Sequence, residues 1–272
     1  MIKILLVFAF AGLSTSLFAI DNLFEAIRDN DLKKFKLLVE ADPGIVNKEI
    51  EYRTYPFLEA ASVCRVKMME FIIEKGGDPK VKSQKHGDNA LHIIAARSSL
   101  TNEGSLKTFM AVVDLLKANG LDFNEKNKYG ESPLYLACKS DQREANVVHA
   151  AKFLKAFIEN GAKFEKNDGL LNYNLGKTIK PGADLGNLSF TKEIINLGAD
   201  VNSMDKVTNA TPLIVFLANK TIPDEAKVEL VKLLIEKGAK VNVKDKSNRK
   251  PLSMVDKSSP LYDILRKTKS NK

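Results

Sequence analysis

The sequence predicts an all-α fold: a solenoid of about six helix-turn-helix units, terminal caps included, joined by hairpin-like loops. Two columns of residues carry that expectation. Pro56, Ala90, Pro133, Asn172, Pro212 and Pro251 form one, and Gly76, Gly120, Gly161, Gly198 and Gly238 form the other. Both recur at intervals of about 40 residues, so two independent markers keep one period. The third observation is the stretch Thr211–Asp245, whose second helix sets Val228, Val231, Leu234 and Ile235 on one face, widened by Leu230 and Leu233. A helix apolar over so much of its circumference needs a neighbour on each side.

Each column has a physical reason. Proline is tolerated in the first turn of a helix, where the backbone amide has no internal acceptor. Glycine ends a helix by taking the left-handed conformation at least cost. The two glycine and proline totals, 15 and 9, are low, and 44% of residues are hydrophobic, which fits a folded chain.

In chain order, Met1–Ala19 reads as a secretory signal peptide, with Lys3 ahead of the apolar core Ile4–Leu13 and a small residue at the cleavage point. It is too short for an ordinary membrane span, so no stable membrane insertion is expected after cleavage, and the product belongs in a periplasm or outside the cell. The repeat units follow over 20–51, 52–85, 86–128, 129–167, 168–206 and 207–245, with a C-terminal cap over 246–266 and a frayed tail over 267–272. Insertions are expected within Ser98–Ser105, Ser140–Ala145 and Ala218–Asp224, between the two helices of a unit, where they lengthen helix ends or loops without breaking the stack. The second helix of the fourth unit is expected to bury Val147, Ala151, Leu154 and Ile158. The fifth unit is irregular: Gly176, Pro181, Gly182 and Gly186 are poor helix formers, so its first helix is in question. Cys64 and Cys138, set two repeats apart, are expected as unbridged thiols packed like small apolar groups.

Several segments share a longer pattern. Tyr55-Pro56-Phe57-Leu58-Glu59-Ala60-Ala61, Gly87-Asp88-Asn89-Ala90-Leu91-His92 and Thr211-Pro212-Leu213 open units; Gly198-Ala199-Asp200-Val201-Asn202 and Gly238-Ala239-Lys240-Val241-Asn242 close them. The pattern resembles the ankyrin repeat, whose consensus runs T-P-L-H-x-A-A, a second helix, then G-A-D-V-N. The resemblance implies that first helices and loop tips line a concave face that binds another protein. It also implies that His92 braces adjacent loops by hydrogen bonding.

A search for catalytic chemistry finds no constellation of nucleophile, base and stabilising donors. Gly176-Lys177-Thr178 lacks the earlier glycine of a phosphate-binding loop, since position 171 is Leu171. Three histidines give no metal spacing, and no cofactor is expected. The sequons Asn187-Leu188-Ser189, Asn209-Ala210-Thr211 and Asn219-Lys220-Thr221 are common by chance.

Charge points elsewhere. The chain carries +8, and its inter-repeat loops place Lys82, Lys85, His86, Lys126, Lys128, Tyr129, Lys244, Lys246 and Arg249 at the finger tips. These are the candidate partner-binding residues, suited to a protein with an acidic surface. Asp78, Asp88, Glu125, Glu131 and Asp245 dilute the strip, which equally suits loops that merely solvate. Nucleic acid is disfavoured, because arginine is scarce and no aromatic platform interleaves the basic residues. The expectation is therefore a non-catalytic, monomeric, exported interaction module. The alternative is a secreted enzyme or enzyme-maturation factor with its site in the fifth unit, bordered by Tyr173, Lys177 and Lys180.

Overall fold

The computed structural model describes residues 19–49, 54–97, 102–139, 147–177 and 186–270. The signal-peptide core, the Ser140–Ala145 insertion, Lys180, Pro181 and Gly182 lie outside the described residues. Packing divides the chain into two units, the first ending at Leu136 and the second beginning at Ala137. No strand occurs among the described residues.

The first unit holds α1 (19–28), α2 (Leu32–Ala41), a 3-10 turn (Pro43–Asn47), α3 (Pro56–Ser62), α4 (Val66–Glu74), α5 (Ala90–Arg97) and α6 (Glu103–Ala118). First helices pack on first helices, α3 on α5, while second helices form their own layer, α2 on α4 and α4 on α6. Partners within a pair, α3 with α4 and α5 with α6, close the two layers on each other. Ala60, Ala61 and Ala95 are fully buried where helices approach closely, and a larger side chain there would overpack the contact. Arg65 fastens the first pair to the second by donating to the carbonyls of Ile27 (3.1 Å) and Arg28 (2.9 Å) in the last turn of α1, whose carbonyls have few partners within the helix. Asn102 and Ser105 cap α6 reciprocally, so the insertion before this helix is partly taken up as extra helix.

The second unit repeats the scheme. α7 (Pro133–Lys139) spans the division, followed by α8 (Val147–Glu159), α9 (Leu170–Lys177), α10 (Gly186–Asn196), α11 (Pro212–Ala218), α12 (Asp224–Glu236), a 3-10 turn (Pro251–Met254) and α13 (Pro260–Ser270). α9 packs on α11, and α11 on the Pro251 turn; α8, α10, α12 and α13 follow one another in the second layer. Within each unit, then, helix pairs stack in chain order.

The glycine column behaves as its chemistry demands. Gly76, Gly120, Gly161, Gly198 and Gly238 have φ of +83°, +69°, +98°, +104° and +92°. Each follows a second helix, in the left-handed region that L side chains avoid.

Four local expectations need correction. The buried face of α8 is Ala150, Phe153, Leu154, Ala156 and Phe157, not one led by Val147, Ala151 and Ile158. The Phe153 and Phe157 rings stack at 4.8 Å, and their larger apolar area fixes the rotation of the helix. α9 forms despite Gly176, because Leu170, Leu171 and Leu175 are buried against its neighbours and tertiary packing outweighs propensity. α13 runs to Ser270, past the expected start of the tail at 267. Cys138 is buried and in no disulfide, as expected, but Cys64 is only half-buried, at a turn with φ +53°.

Gly176 permits a direct test of the fifth unit. A Cβ built there meets no atom within 4 Å. Gly176→Ala is therefore expected to stabilise the protein by about 0.5–1 kcal/mol through helix propensity. Urea unfolding checks this. A destabilised variant would show that the irregular unit needs its glycine.

Candidate interaction surface at the finger tips

Between the pairs, the chain projects as short fingers, each tied at its base by backbone hydrogen bonds. In the first unit, one finger is closed by Ser83 N to Asp88 O and Gly87 N to Ser83 O, both 2.8 Å. The next is closed by Asn127 N to Glu131 O at 3.0 Å. The Lys128 amide donates to the His86 carbonyl at 2.9 Å, joining one tip to the other. Gly87 is required twice over: its φ is +72°, and a Cβ would lie 2.9 Å from Lys128 Cγ.

A polar core organises these fingers from below. Asn127 is buried; its carboxamide accepts from the Tyr129 and Glu131 amides and donates to Asp88 at 2.9 Å. Asn89 donates to Glu125 at 2.6 Å, and Lys82 forms an ion pair with the same carboxylate. Burial pushes the Glu125 carboxyl up, but Lys82 and Asn89 outweigh it and hold the group below its ordinary value. His92 is fully buried, with Nδ1 2.7 Å from Asn89 Oδ1 and Nε2 3.1 Å from the Glu131 carbonyl of the next finger. That is the bracing role expected of this histidine.

Above this core sits a tip with a different character. The His86 and Tyr129 rings lie 5.7 Å apart, and Tyr129 is 67% exposed. Lys85, Lys126 and Lys128 are exposed beside them, and Lys128 Nζ donates to the Gln84 carbonyl. Of the six candidates in this unit, five share the tip, whereas Lys82 is held by Glu125.

The second unit is built to the same plan. Asp205 N bonds Ala210 O at 2.9 Å, Asp245 N bonds Arg249 O at 3.2 Å, and Lys246 N reaches Thr208 O at 2.9 Å from one finger to the next. Asp205 accepts from the Thr208 hydroxyl (2.6 Å) and amide (2.7 Å), and these bonds hold its carboxyl below the ordinary value. Arg249 is paired with the buried Asp245 at 2.7 Å. Burial pushes that carboxyl up, and Arg249 more than reverses it. Lys244 and Lys246 are exposed.

The structure thus sorts the nine candidates by geometry. Lys82 pairs with Glu125 of the next finger and Arg249 with Asp245 of its own, while Lys85, Lys126, Lys128, Lys244 and Lys246 are exposed at the tips. A third column, which the sequence reading missed, underlies the fingers. Gly87, Gly130, Gly169, Asn209 and Asn248 all have positive φ, and each stands three residues ahead of the proline column. The signal was present, since glycine and asparagine are the residues that take this conformation most readily.

Of the fifth unit's expected border, Tyr173 is described, whereas the Lys177 side chain and Lys180 lie outside the described residues. Lys139 Nζ lies 5.1 Å from the Tyr173 ring. Asn172 donates to the Ser203 and Ala210 carbonyls at 3.0 and 3.2 Å, bracing the following finger much as His92 does in the first unit. Burial, helped by Asp200 and Glu165, pushes the Asp168 carboxyl up. Among the sequons, Asn219 is buried and accepts from the Thr221 amide (2.8 Å) and hydroxyl (2.7 Å), which makes it a turn residue. Among the described residues, no group of three His, Cys, Asp or Glu side chains is placed to hold a metal ion, and no helix is long and apolar enough to cross a membrane.

No protein-family model and no curated protein matches the chain. Solved structures do. The human ASB11 ankyrin repeat domain aligns with a TM-score of 0.60 at 18% identity, covering 90% of this chain and 96% of that one. The ankyrin repeat domain of Bcl-3, described as a unique member of the IkappaB protein family, aligns with a TM-score of 0.64 at 19% identity, covering 90% and 97%. The chain has the ankyrin-repeat fold.

Proposed function

We propose that this ankyrin-repeat chain is a non-catalytic interaction module that captures an acidic protein surface through its finger tips. The observation that carries the reading is the sorting of cations. Lys82 and Arg249 are ion-paired with Glu125 and Asp245, while Lys85, Lys126, Lys128, Lys244 and Lys246 add exposed positive charge at the tips. Such an arrangement adds little to stability, because exposed charges interact weakly. It does raise the encounter rate with a partner of opposite sign and makes binding fall with salt. Tyr129, large and exposed beside the cations, supplies the kind of anchor that carries binding energy at an interface. The signal-like start supports export as part of the same reading, with the mature chain working outside the cytoplasm as a monomer.

The test is a pair of charge reversals. Lys85→Glu, Lys126→Glu, Lys244→Glu and Lys246→Glu together are expected to reduce cross-linked capture of the partner from the native compartment by about tenfold or more, with the fold intact. Lys82→Glu with Arg249→Glu is expected to destabilise the fingers themselves. Capture that survives the first set, and ignores salt, would refute the electrostatic reading. N-terminal sequencing of the protein from its native compartment checks export: the expected first residue is Ile20.

A further inference from the structure

We propose that the finger Ser203–Ala210, with the lysines that flank it, is a docking tip for an anionic lipid surface, on which the chain adsorbs without spanning it. The inference goes beyond the function proposed above. Lys244 and Lys246 belong to both readings, so the test is made on residues that belong to this one alone.

The net charge is confined to one end of the chain. Eleven Lys and Arg but only three Asp and Glu follow α12, a balance of +8, which equals the charge of the whole chain. The residues up to Glu236 therefore sum to zero. Such asymmetry marks a chain that meets a polyanion. Nine of the eleven cations are lysine, a point charge on a flexible stem, which suits mobile headgroups better than fixed phosphate geometry.

This basic stretch is laid along an apolar tip. Val207 is 74% exposed and Met204 39%, both on the finger Ser203–Ala210. At the base of that finger Asn202 donates to the Gly238 carbonyl at 3.0 Å and accepts from the Lys240 amide at 2.8 Å. Further along, the Lys246 amide donates to the Thr208 carbonyl at 2.9 Å. Exposed Lys206, Lys240, Lys244 and Lys246 thus flank the two apolar side chains. Asp200 and Asp205 offset two of these four lysines, and Asp245 is paired with Arg249. The tip is also preorganised: Asp205 Oδ1 accepts from the Val207 amide (3.1 Å) and from the Thr208 amide (2.7 Å) and hydroxyl (2.6 Å).

An apolar tip ringed by lysines matches a bilayer interface in depth. Val207 and Met204 enter the headgroup–acyl boundary, while the lysine stems reach back and keep their ammonium groups among the phosphates. A nucleic acid supplies the charge but no apolar layer, and Tyr262, the single aromatic residue after α12, is half-buried and offers no stacking platform. An acidic protein would need a pocket shaped to Val207, whereas a fluid bilayer needs no shape match.

The chain has no tryptophan, so Val207→Trp places a single reporter at the tip. The experiment uses the mature chain, from Ile20 onward, and vesicles of phosphatidylcholine with about 30 mol% phosphatidylglycerol in about 0.1 M salt. Emission from Trp at this position is expected to move to the blue and to be quenched by brominated lipid, with neither change on phosphatidylcholine alone. In vesicle sedimentation, Met204→Ser with Val207→Ser should weaken binding about tenfold. Lys206→Glu with Lys240→Glu should weaken it by about tenfold or more. Lys33→Glu with Lys107→Glu, an equal charge change at exposed sites in the first unit, should leave it near the wild-type level. Unchanged binding by the serine pair, or an equal loss in the first-unit pair, would mean adsorption by net charge and would overturn the docking tip. No blue shift on the anionic vesicles, or one as large on polyglutamate or an oligonucleotide, would overturn it too. Each of these results leaves capture of an acidic protein standing, because that is read on the partner.

Discussion

Asp224→Ala is expected to lower stability by about 3–5 kcal/mol, because it strands a buried ammonium group. Lys227 is 1% exposed in the first turns of α12, and Asp224 Oδ1 lies 3.0 Å from its Nζ. The other carboxylate oxygen accepts the Ser259 hydroxyl at 2.7 Å, one residue before α13 begins. One carboxylate therefore neutralises the core lysine and also holds the last helix in place. Burial alone would raise the Asp224 carboxyl, but Ser259 and then Lys227 overcome it and leave it below its ordinary value. The stabilisation is accordingly present above the ordinary carboxylate range and lost as pH falls through the folded value. Lys227→Met is expected to cost far less, since it removes the charge and keeps the volume, and adding it to Asp224→Ala should recover most of the loss. Urea unfolding of the three variants checks this. An Asp224→Ala protein as stable as the wild type would mean that Lys227 finds water instead.

His92→Leu is expected to cost about 2–3 kcal/mol despite being apolar and of similar size. It leaves the buried Asn89 backbone amide without its acceptor, Nδ1 at 3.3 Å, and takes the Nε2 donor from the Glu131 carbonyl, and each unmade buried hydrogen bond costs about 1–3 kcal/mol. The same residue sets a pH signature. Burial lowers the His92 imidazole below its ordinary value, with Asp88, the Glu131 carbonyl and Glu125 opposing weakly. Above about pH 6.5 both folded and unfolded chains hold it neutral, and its contribution is complete. As pH falls below that value the unfolded chain takes up the proton first, so wild-type stability declines until the folded value is passed. The stability difference between wild type and His92→Leu should therefore shrink on acidification from pH 7.5 to 5. A constant difference would place a charged imidazole in the native core.

Much of the architecture was legible because backbone chemistry leaves marks on the sequence. Pro56, Pro133 and Pro212 open first helices, and five glycines in the left-handed conformation close second ones. What escaped was decided by neighbours. Nothing local says that Lys227 goes inside; an acidic residue three positions earlier and a serine 32 positions later, just ahead of another helix, make its burial tolerable. The expected face of α12 led with Val228, which is half-buried, whereas Leu230, Val231 and Leu234 are fully buried around that lysine. The finger tips were found by composition, yet composition could not separate Lys82 and Arg249 from the rest. Only the positions of Glu125 and Asp245 in the folded chain do that.

The central claim is that each helix pair hides its apolar sides only against the pairs beside it, so damage should spread along the row and fade. Native-state hydrogen exchange on full-length wild type and Asp224→Ala measures this most directly. The account predicts that the substitution strips protection from α12 and α13, partly from α10 and α11, and leaves α2 to α6 at wild-type values. An equal loss of protection in every helix would contradict it.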